Sequence, residues 1–242
     1  MRTSYTVFLL IILSLLIFNS CKKAPEFSII PQIGFGSIDI RYNIPYTVPG
    51  LPTIFYQDYI DITISFKDGD GDLGLNSDDF TPPFNPYTII TDSTGNIEKY
   101  GSHPGMPPYN PNDACTPYII DSAYQDTSFV KDTVLITYNP HYYNYHIVFL
   151  KKVGTTYDTI SPCPALNQCG RFPVLAPPNY SGPLQGDLTI TVPGDFSDKS
   201  GGFPTAPEFY LINKTVKFRI YIEDRALHQS NIIETSDITF TQ

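Results

Sequence analysis

Two segments of the chain alternate between apolar and polar residues with a period of two. Residues 60–66 read Ile-Asp-Ile-Thr-Ile-Ser-Phe, and residues 216–222 read Val-Lys-Phe-Arg-Ile-Tyr-Ile. Successive side chains of a β-strand point to opposite faces, so each segment places its apolar residues on one face. The pattern therefore predicts two strands, each with one face in a core.

Weaker alternation predicts further short strands, and helical periodicity is almost absent. Prolines interrupt the chain between the predicted strands, with eight between Thr81 and Pro117 and nine between Pro162 and Pro207. Because proline lacks a backbone N–H, it is confined to loops, turns and sheet edges. We therefore predict an all-β protein, an immunoglobulin-like antiparallel β-sandwich with long Pro-rich loops. The additional strands are expected at Ser37–Arg41, Thr133–Tyr138, Tyr145–Lys151, Asp187–Val192 and Ile232–Phe240.

The first twenty-one residues have the features of an export signal. Arg2 supplies a positive charge, an apolar run of twelve residues follows at Val7–Phe18, and small or polar residues lead to Cys21. A helix needs roughly twenty residues to cross a hydrocarbon core of ~30 Å, so the run is too short for a transmembrane anchor. We expect residues 1–20 to be a signal peptide that is removed.

The placement of Cys21 resembles the lipobox of bacterial lipoproteins, whose cysteine is lipidated and becomes the new N-terminus. Ser20 fits the small residue of that motif, while Phe18 stands where leucine is usual and Asn19 is more polar than the pattern. An ordinary secretory signal that ends near a cysteine is the alternative. The resemblance implies a cell-envelope protein anchored to a membrane by a lipid on Cys21. The outer membrane is favoured over the inner, and the domain faces the periplasm or the medium.

On this interpretation the mature chain is one domain on a short tether. Residues 21–31 are the lipidated cysteine and tether, and residues 32–242 form a single β-sandwich domain with long loop insertions. Removal of the signal peptide takes away one charged residue, Arg2, and changes the formal net charge from −9 to −10. An acidic surface repels nucleic acid and anionic membrane surfaces, so we expect no nucleic-acid partner. A protein or glycan partner stays open.

Three further cysteines remain in the mature chain, an odd number for an oxidising compartment. Cys163 and Cys169 lie close in sequence, so a local disulfide between them is plausible, with Cys115 left free or competing for either partner. The sequence does not choose among the three pairings. A zinc site is the weaker alternative, because no histidine falls at ligand spacing from these cysteines.

An acidic, glycine-rich turn directly follows the first alternating segment. Residues 67–74 read Lys-Asp-Gly-Asp-Gly-Asp-Leu-Gly, which places Asp68, Asp70 and Asp72 at alternate positions. Ca²⁺ takes roughly six to eight oxygen ligands, and a tight glycine-rich turn lets carboxylates and backbone carbonyls converge. The spacing departs from an EF-hand loop, because Leu73 occupies the glycine position. The alternative is a solvated turn whose aspartates accept hydrogen bonds from nearby backbone amides.

A second polar segment follows the other alternating strand. Residues 223–231 contain Asp224 and Asn231. In an immunoglobulin-like sandwich the loops after the second and sixth strands lie at the same end of the domain. If the two alternating segments occupy those places, both loops contribute to one structural Ca²⁺ site. The predicted metal ligands are Asp68, Asp70, Asp72, Asp224 and Asn231.

Signatures of catalysis are missing from the sequence. The chain contains no Gly-x-Ser-x-Gly elbow, no His-Glu-x-x-His helix and no phosphate loop, so we assign no catalytic residue. It has eighteen tyrosines, several of them clustered in residues 138–146, and no tryptophan. Tyrosine can stack on sugars or dock a protein, although most tyrosines simply populate strands. We expect a binding or structural module, with a glycan-binding or glycan-hydrolysing surface lipoprotein as the alternative.

Three motifs together resemble a family of envelope lipoproteins of Bacteroidota-type bacteria. They are the Asp-Gly-Asp-Gly-Asp-Leu-Gly turn at residues 68–74, Gly-Arg-Phe-Pro at residues 170–173, and Asp-Arg-Ala-Leu-His-Gln-Ser-Asn at residues 224–231. The resemblance covers most of the mature chain and implies an envelope lipoprotein with an immunoglobulin-like sandwich. It carries no activity over to this chain.

Replacement of Cys21 tests the anchor. When the full chain is expressed in a bacterium that processes lipoproteins, the wild-type protein should partition into the Triton X-114 detergent phase, and Cys21→Ser should partition into the aqueous phase. Cys115→Ser is the control and should partition like the wild type. Recovery of Cys21→Ser in the detergent phase would rule out a lipid on this residue.

Overall fold

The computed structural model describes residues 25–50, 52–100, 118–120, 133–160, 168–194, 211 and 213–240. The predicted signal peptide, Cys21, Cys115 and Cys163 lie outside these residues. Within them the chain is all-β with antiparallel pairing, which confirms the predicted fold class. No helix in this part of the chain is long and apolar enough to span a membrane.

Twelve strands are present in the described residues, and a single 3-10 turn at Pro140–Tyr142 precedes the sixth of them. The strands are β1 Gln32–Thr47, β2 Ile54–Asp68, β3 Tyr87–Ile89, β4 Tyr118–Ile120, β5 Thr133–Tyr138, β6 Tyr145–Val153, β7 Thr156–Thr159, β8 Gln168–Gly170, β9 Leu184–Gly194, β10 Thr215–Ile222, β11 Ile233–Glu234 and β12 Ile238–Thr239.

The strands form three antiparallel sheets. The first has the order β1-β2-β9, and the second has the order β11-β10-β6-β7, with β12 paired to β10 and β8 paired to β6. A third, smaller sheet has the order β3-β5-β4. The two strands that contain the clearest alternating segments, β2 and β10, therefore lie in the interior of different sheets.

The core lies between the first and second sheets, and the alternating residues fill it. Ile60, Ile62 and Ile64 of β2 join Phe218 and Ile220 of β10 in one cluster of fully buried side chains. Burial of each such side chain contributes about 1.5–3 kcal/mol. The period-two alternation thus identified the facing surfaces of the sandwich.

The weaker strand predictions are also confirmed, with one change. The last predicted strand, Ile232–Phe240, is divided into β11 and β12. Between them the Thr235 hydroxyl accepts a hydrogen bond from the backbone N–H of Phe218 at 3.0 Å, which interrupts the regular ladder. The short strands β3, β4, β7 and β8 carry too few residues for a periodic signal and were not predicted.

One proline within a strand lies at a position where strand pairing does not need its backbone N–H. Pro193 lies in β9, which occupies the edge of the first sheet and pairs only with β2 among the described strands. A residue without a backbone N–H is acceptable on the outward side of an edge strand. The long loops at residues 69–86 and 171–183, which are rich in proline, surround the end of the sandwich where β2 stops.

A buried asparagine joins three segments at that same end. The Asn144 side chain donates to the carbonyl oxygen of Phe172 at 2.9 Å and accepts from its N–H at 2.8 Å. The backbone carbonyl of Asn144 accepts from the N–H of Glu223 at 3.0 Å. The loop after β8 and the loop after β10 are therefore held to the start of β6, beside the acidic turn.

Candidate metal centre

The first acidic loop begins as β2 ends, and Asp68 organises it. This residue is 0 % exposed, and its Oδ2 accepts hydrogen bonds from the backbone N–H groups of Gly71 at 2.8 Å and Asp72 at 3.2 Å. Gly71 has φ +77°, and a Cβ there would lie 2.5 Å from the carbonyl oxygen of Gly182. The turn therefore requires glycine both for its backbone conformation and for its close packing.

The second acidic loop follows β10 and is closed by Asp224. This carboxylate is 2 % exposed; its Oδ1 accepts from the backbone N–H of His228 at 2.7 Å, and its Oδ2 lies 2.9 Å from Nδ1 of the same residue. An aspartate that bonds the backbone of its own turn is a common way to fix such a loop. Both loops are thus shaped from within by a buried aspartate.

Asp72 joins the two loops directly. Its backbone carbonyl accepts from the N–H of Arg225 at 3.3 Å, and its Oδ2 accepts from the N–H of Ala226 at 3.1 Å. The predicted meeting of the loops after the two alternating strands is therefore present in the structure. The contact is made by backbone amides of one loop on an aspartate of the other.

The three aspartates form a compact cluster of oxygen ligands. One carboxylate oxygen from each of Asp68, Asp72 and Asp224 lies within 4.8 Å of the others. Among the described residues, the buried Oδ1 atoms of Asp68, Asp70 and Asp72 have no hydrogen-bond partner. A fourth such oxygen, on Asp58, lies ten residues earlier in β2. A buried acceptor without a partner costs about 1–3 kcal/mol, and more if it is charged.

Burial and mutual repulsion raise the pKa of two of these carboxyls. Burial is the larger cause for Asp68 and raises its pKa to about 6, with further contributions from the charges of Asp70 and Asp224. The pKa of Asp72 is also raised to about 6, first by burial and then by the charges of Asp224, Asp70 and Asp68. Near neutral pH the cluster therefore concentrates negative charge in a site that disfavours it.

The donor set is suited to a hard divalent cation. Only oxygen atoms face the cluster from the three aspartates, whereas zinc sites draw on cysteine and histidine. Because the three oxygens lie no more than 4.8 Å from one another, one ion at the Ca²⁺–oxygen distance of about 2.3–2.6 Å can contact them together. Mg²⁺ binds oxygen at about 2.0–2.1 Å, requires stricter octahedral geometry and usually keeps several of its waters, so a cluster of protein carboxylates favours Ca²⁺.

The other two predicted ligands have different surroundings. Asp70 has a buried, unpartnered Oδ1 and lies near enough for its charge to raise the pKa of Asp68 and Asp72. It is not one of the three residues whose oxygens lie within 4.8 Å of one another, so its role as a ligand stays a prediction. The Asn231 amide instead bonds the backbone of Ile33, accepting from its N–H at 2.8 Å and donating to its carbonyl at 2.9 Å. Asn231 therefore fixes the second loop to the start of β1, and its role as a ligand stays a prediction.

Two arginines support the loop beyond the cluster, and neither was predicted to do so. Arg225 donates to Oδ2 of Asp79 at 2.6 Å, and this bond lowers the pKa of that carboxyl. Arg171 donates to the backbone carbonyls of Asn76 at 2.8 Å and Asp79 at 3.1 Å. Arg171 and Arg225 lie in two of the motifs that carry the family resemblance. No spacing in the sequence connects either of them to residues 76–79.

A cysteine and a histidine meet in the second sheet, but both are neutral. The free thiol of Cys169 lies 3.2 Å from Nδ1 of His146, whose ring stacks on Tyr221 with centroids 4.5 Å apart. Burial raises the pKa of Cys169 to about 11 and lowers the pKa of His146 to about 4. A nucleophilic cysteine needs a stabilised thiolate, so this pair is a packing element. The predicted disulfide to Cys163 stays a prediction.

Comparison of the chain with family models, with curated proteins and with solved structures gave no match.

Replacement of Asp68 tests the cost of the buried charge. A folded-state pKa raised above the ordinary value means that the carboxyl stabilises the fold below about pH 4, and that this contribution is lost as pH rises through 6. In EDTA, the free energy of unfolding of the wild type minus that of Asp68→Asn should therefore fall between pH 4 and pH 7 by up to ~3 kcal/mol. Urea unfolding across this range provides the measurement. A difference that stays constant with pH would contradict the raised pKa.

Proposed function

We propose that the chain is a lipid-anchored cell-envelope protein that acts as a binding or structural module, and that Ca²⁺ holds its two acidic loops together. The anchor rests on the lipobox-like placement of Cys21 after a short apolar run. The proposal of a cation rests on the aspartate cluster at the end of the sandwich. The module is a rigid β-scaffold that presents loops, an architecture in which binding residues commonly lie on the loops.

One observation carries the cation proposal. The Oδ1 atoms of Asp68, Asp70 and Asp72 are buried and have no hydrogen-bond partner among the described residues, although Oδ2 of Asp68 accepts from two backbone N–H groups of the same turn. A solvated turn, the alternative interpretation, would expose these oxygens to water. A Ca²⁺ ion would bind them, neutralise part of the charge and cross-link the loops after β2 and β10.

The same contacts favour a structural role for the ion. Asp68 uses one oxygen to hold its own loop, Asp224 uses both of its oxygens to bond His228 in its own loop, and Asp72 uses one to bond the opposite loop. Ligands committed to the fold in this way leave few means of moving a proton or binding a substrate. Backbone carbonyls and water would complete the roughly six to eight ligands that Ca²⁺ requires.

Calcium-dependent melting tests this proposal. Addition of Ca²⁺ at about 100 times its Kd to the EDTA-treated protein should stabilise it by about 2.7 kcal/mol, which corresponds to a rise in Tm of roughly 5–10 °C for a chain of this size. Asp72→Asn should remove most of that rise. The matched control is Asp158→Asn, which makes the same charge change at an exposed position on β7.

Calorimetry on the same proteins gives the complementary result. The wild type and Asp158→Asn should bind one Ca²⁺ per chain, whereas Asp72→Asn should bind it weakly or not at all. Equal stabilisation of all three proteins by Ca²⁺ would place the ion elsewhere. No binding by the wild type would remove the cation from the proposal.

A second candidate function is glycan binding, which one cleft favours. A cavity of about 270 Å³ beside the first acidic loop has Phe80, Tyr142, Arg171, Asn76 and Ser77 among its lining residues. The rings of Phe80 and Tyr142 are stacked with centroids 6.4 Å apart. Arg171 lies over both rings, with Cζ 5.5 Å from the centroid of Phe80 and 4.9 Å from that of Tyr142, so a sugar ring would stack on the ring faces that Arg171 leaves open. The described lining contains no carboxylate, so the cleft supports binding and not hydrolysis.

Substitution of Tyr142 tests the cleft. For any oligosaccharide that binds the wild type in calorimetry, Tyr142→Ala should weaken binding by roughly two- to tenfold, the contribution expected for an aromatic contact. Tyr56→Ala is the control, because Tyr56 is an exposed tyrosine near the far end of β2. Equal affinity of the two variants would exclude this cleft as a sugar site.

A further inference from the structure

We infer that the end of the sandwich with the acidic loops faces the membrane, and that Ile29, Ile30 and Ile232 contact the bilayer there. This inference rests on the proposed lipid at Cys21. It adds an orientation and a contact surface that the anchor alone does not supply, because a flexible tether would let the domain turn freely.

The N-terminal segment meets the domain at the first acidic loop. A Cβ at Gly69 would lie 2.6 Å from the carbonyl oxygen of Phe27 and 2.8 Å from the backbone of Ser28, so only glycine permits this approach. Nζ of Lys67 lies 5.6 Å from the centroid of the Phe27 ring. The chain is thus packed against the acidic turn before β1 begins.

The second acidic loop holds the same segment. Both hydrogen bonds of the Asn231 side chain go to the backbone of Ile33, at 2.8 Å and 2.9 Å. Ile33 also pairs with Phe66 in the ladder between β1 and β2. Residues 27–33 are therefore fixed from two sides, and they cannot swing away from the loop end without breaking these contacts.

Chain length then limits how far this end can lie from the lipid. Phe27 lies six positions after Cys21 in the sequence. A fully extended chain spans at most ~3.6 Å per residue, so Phe27 lies within about 22 Å of the lipidated residue. The far end of the domain is marked by Val153, because β6 runs from Tyr145, opposite Ile222, to Val153. At ~3.3 Å per residue this places Val153 about 26 Å beyond the loop end.

Three isoleucines are exposed at the end near the lipid. Ile29 and Ile30 are 53 % and 49 % exposed and follow directly on the segment that packs against Gly69. Ile232 is 53 % exposed and follows Asn231, which bonds Ile33. The bilayer is the occupant that the tether brings within reach of all three side chains. A cation between the acidic loops would reduce the negative charge at the end of the domain where these isoleucines approach the membrane surface.

The absence of tryptophan from the chain permits a direct test. The full-length lipoprotein with Ile30→Trp or Ile232→Trp is reconstituted by its anchor into phosphatidylcholine vesicles in Ca²⁺, with and without bromine on the lipid tails. Bromine quenches tryptophan only at short range, so both reporters should lose emission intensity in the brominated vesicles. Val153→Trp is the matched control, since Val153 is 47 % exposed at the opposite end, and its emission should not change.

The possible outcomes distinguish failure of the proposed orientation from failure of the proposed lipid anchor at Cys21. Protein that floats with the vesicles, with quenching absent at residues 30 and 232 or equal at all three positions, would overturn the orientation and leave the anchor intact. Protein that fails to float would overturn the anchor and the orientation together. Thermal melting followed by circular dichroism shows whether each variant is folded. If one of the tryptophan variants at positions 30 and 232 fails to fold, the other still tests the orientation.

Discussion

The fold brings buried negative charge to one end of its core, and the organisation of that end depends on how the charge is satisfied. Asp68 is the last residue of β2 and Asp224 lies two residues beyond the end of β10, and both carboxylates are buried. Asp72 bonds across from one loop to the other. Packing of the sandwich forces these groups together, and burial and repulsion raise the pKa of Asp68 and Asp72 to about 6. The proposed divalent cation would relieve this conflict between packing and electrostatics by binding carboxylate oxygens of the three aspartates.

Much of the fold follows from simple alternation in the sequence. The segments within β2 and β10 place their apolar residues toward a common core, because the period of side chains along a strand is two. The meeting of Asp68 and Asp72 with Asp224 also follows, since each acidic loop directly succeeds one of those strands. Short strands such as β7 were not predicted, because four residues are too few to show a period-two alternation of apolar and polar side chains. The interruption between β11 and β12 was missed because it depends on Thr235, whose hydroxyl bonds a neighbouring strand.

The contacts that could not be predicted from the sequence are tertiary hydrogen bonds of polar side chains. Asn231 has a residue type and position that fit a ligand, yet its amide bonds the backbone of Ile33 on a strand almost two hundred residues away. Arg225 pairs with Asp79, and Asn144 bonds both backbone groups of Phe172. Such partners are set by how loops pack after the sheets have formed. The bonds of Asn231 tie the second acidic loop to the N-terminal segment, which links the candidate cation site to the proposed anchor.

An anomalous difference map from a crystal of the protein grown in Ca²⁺ tests the central claim most directly. We expect a single strong peak between the loops after β2 and β10, about 2.3–2.6 Å from a carboxylate oxygen of each of Asp68, Asp72 and Asp224. Backbone carbonyls or water should complete the coordination. A map without a peak at this position, with the three carboxylates hydrogen-bonded to water or to other protein groups, would contradict it.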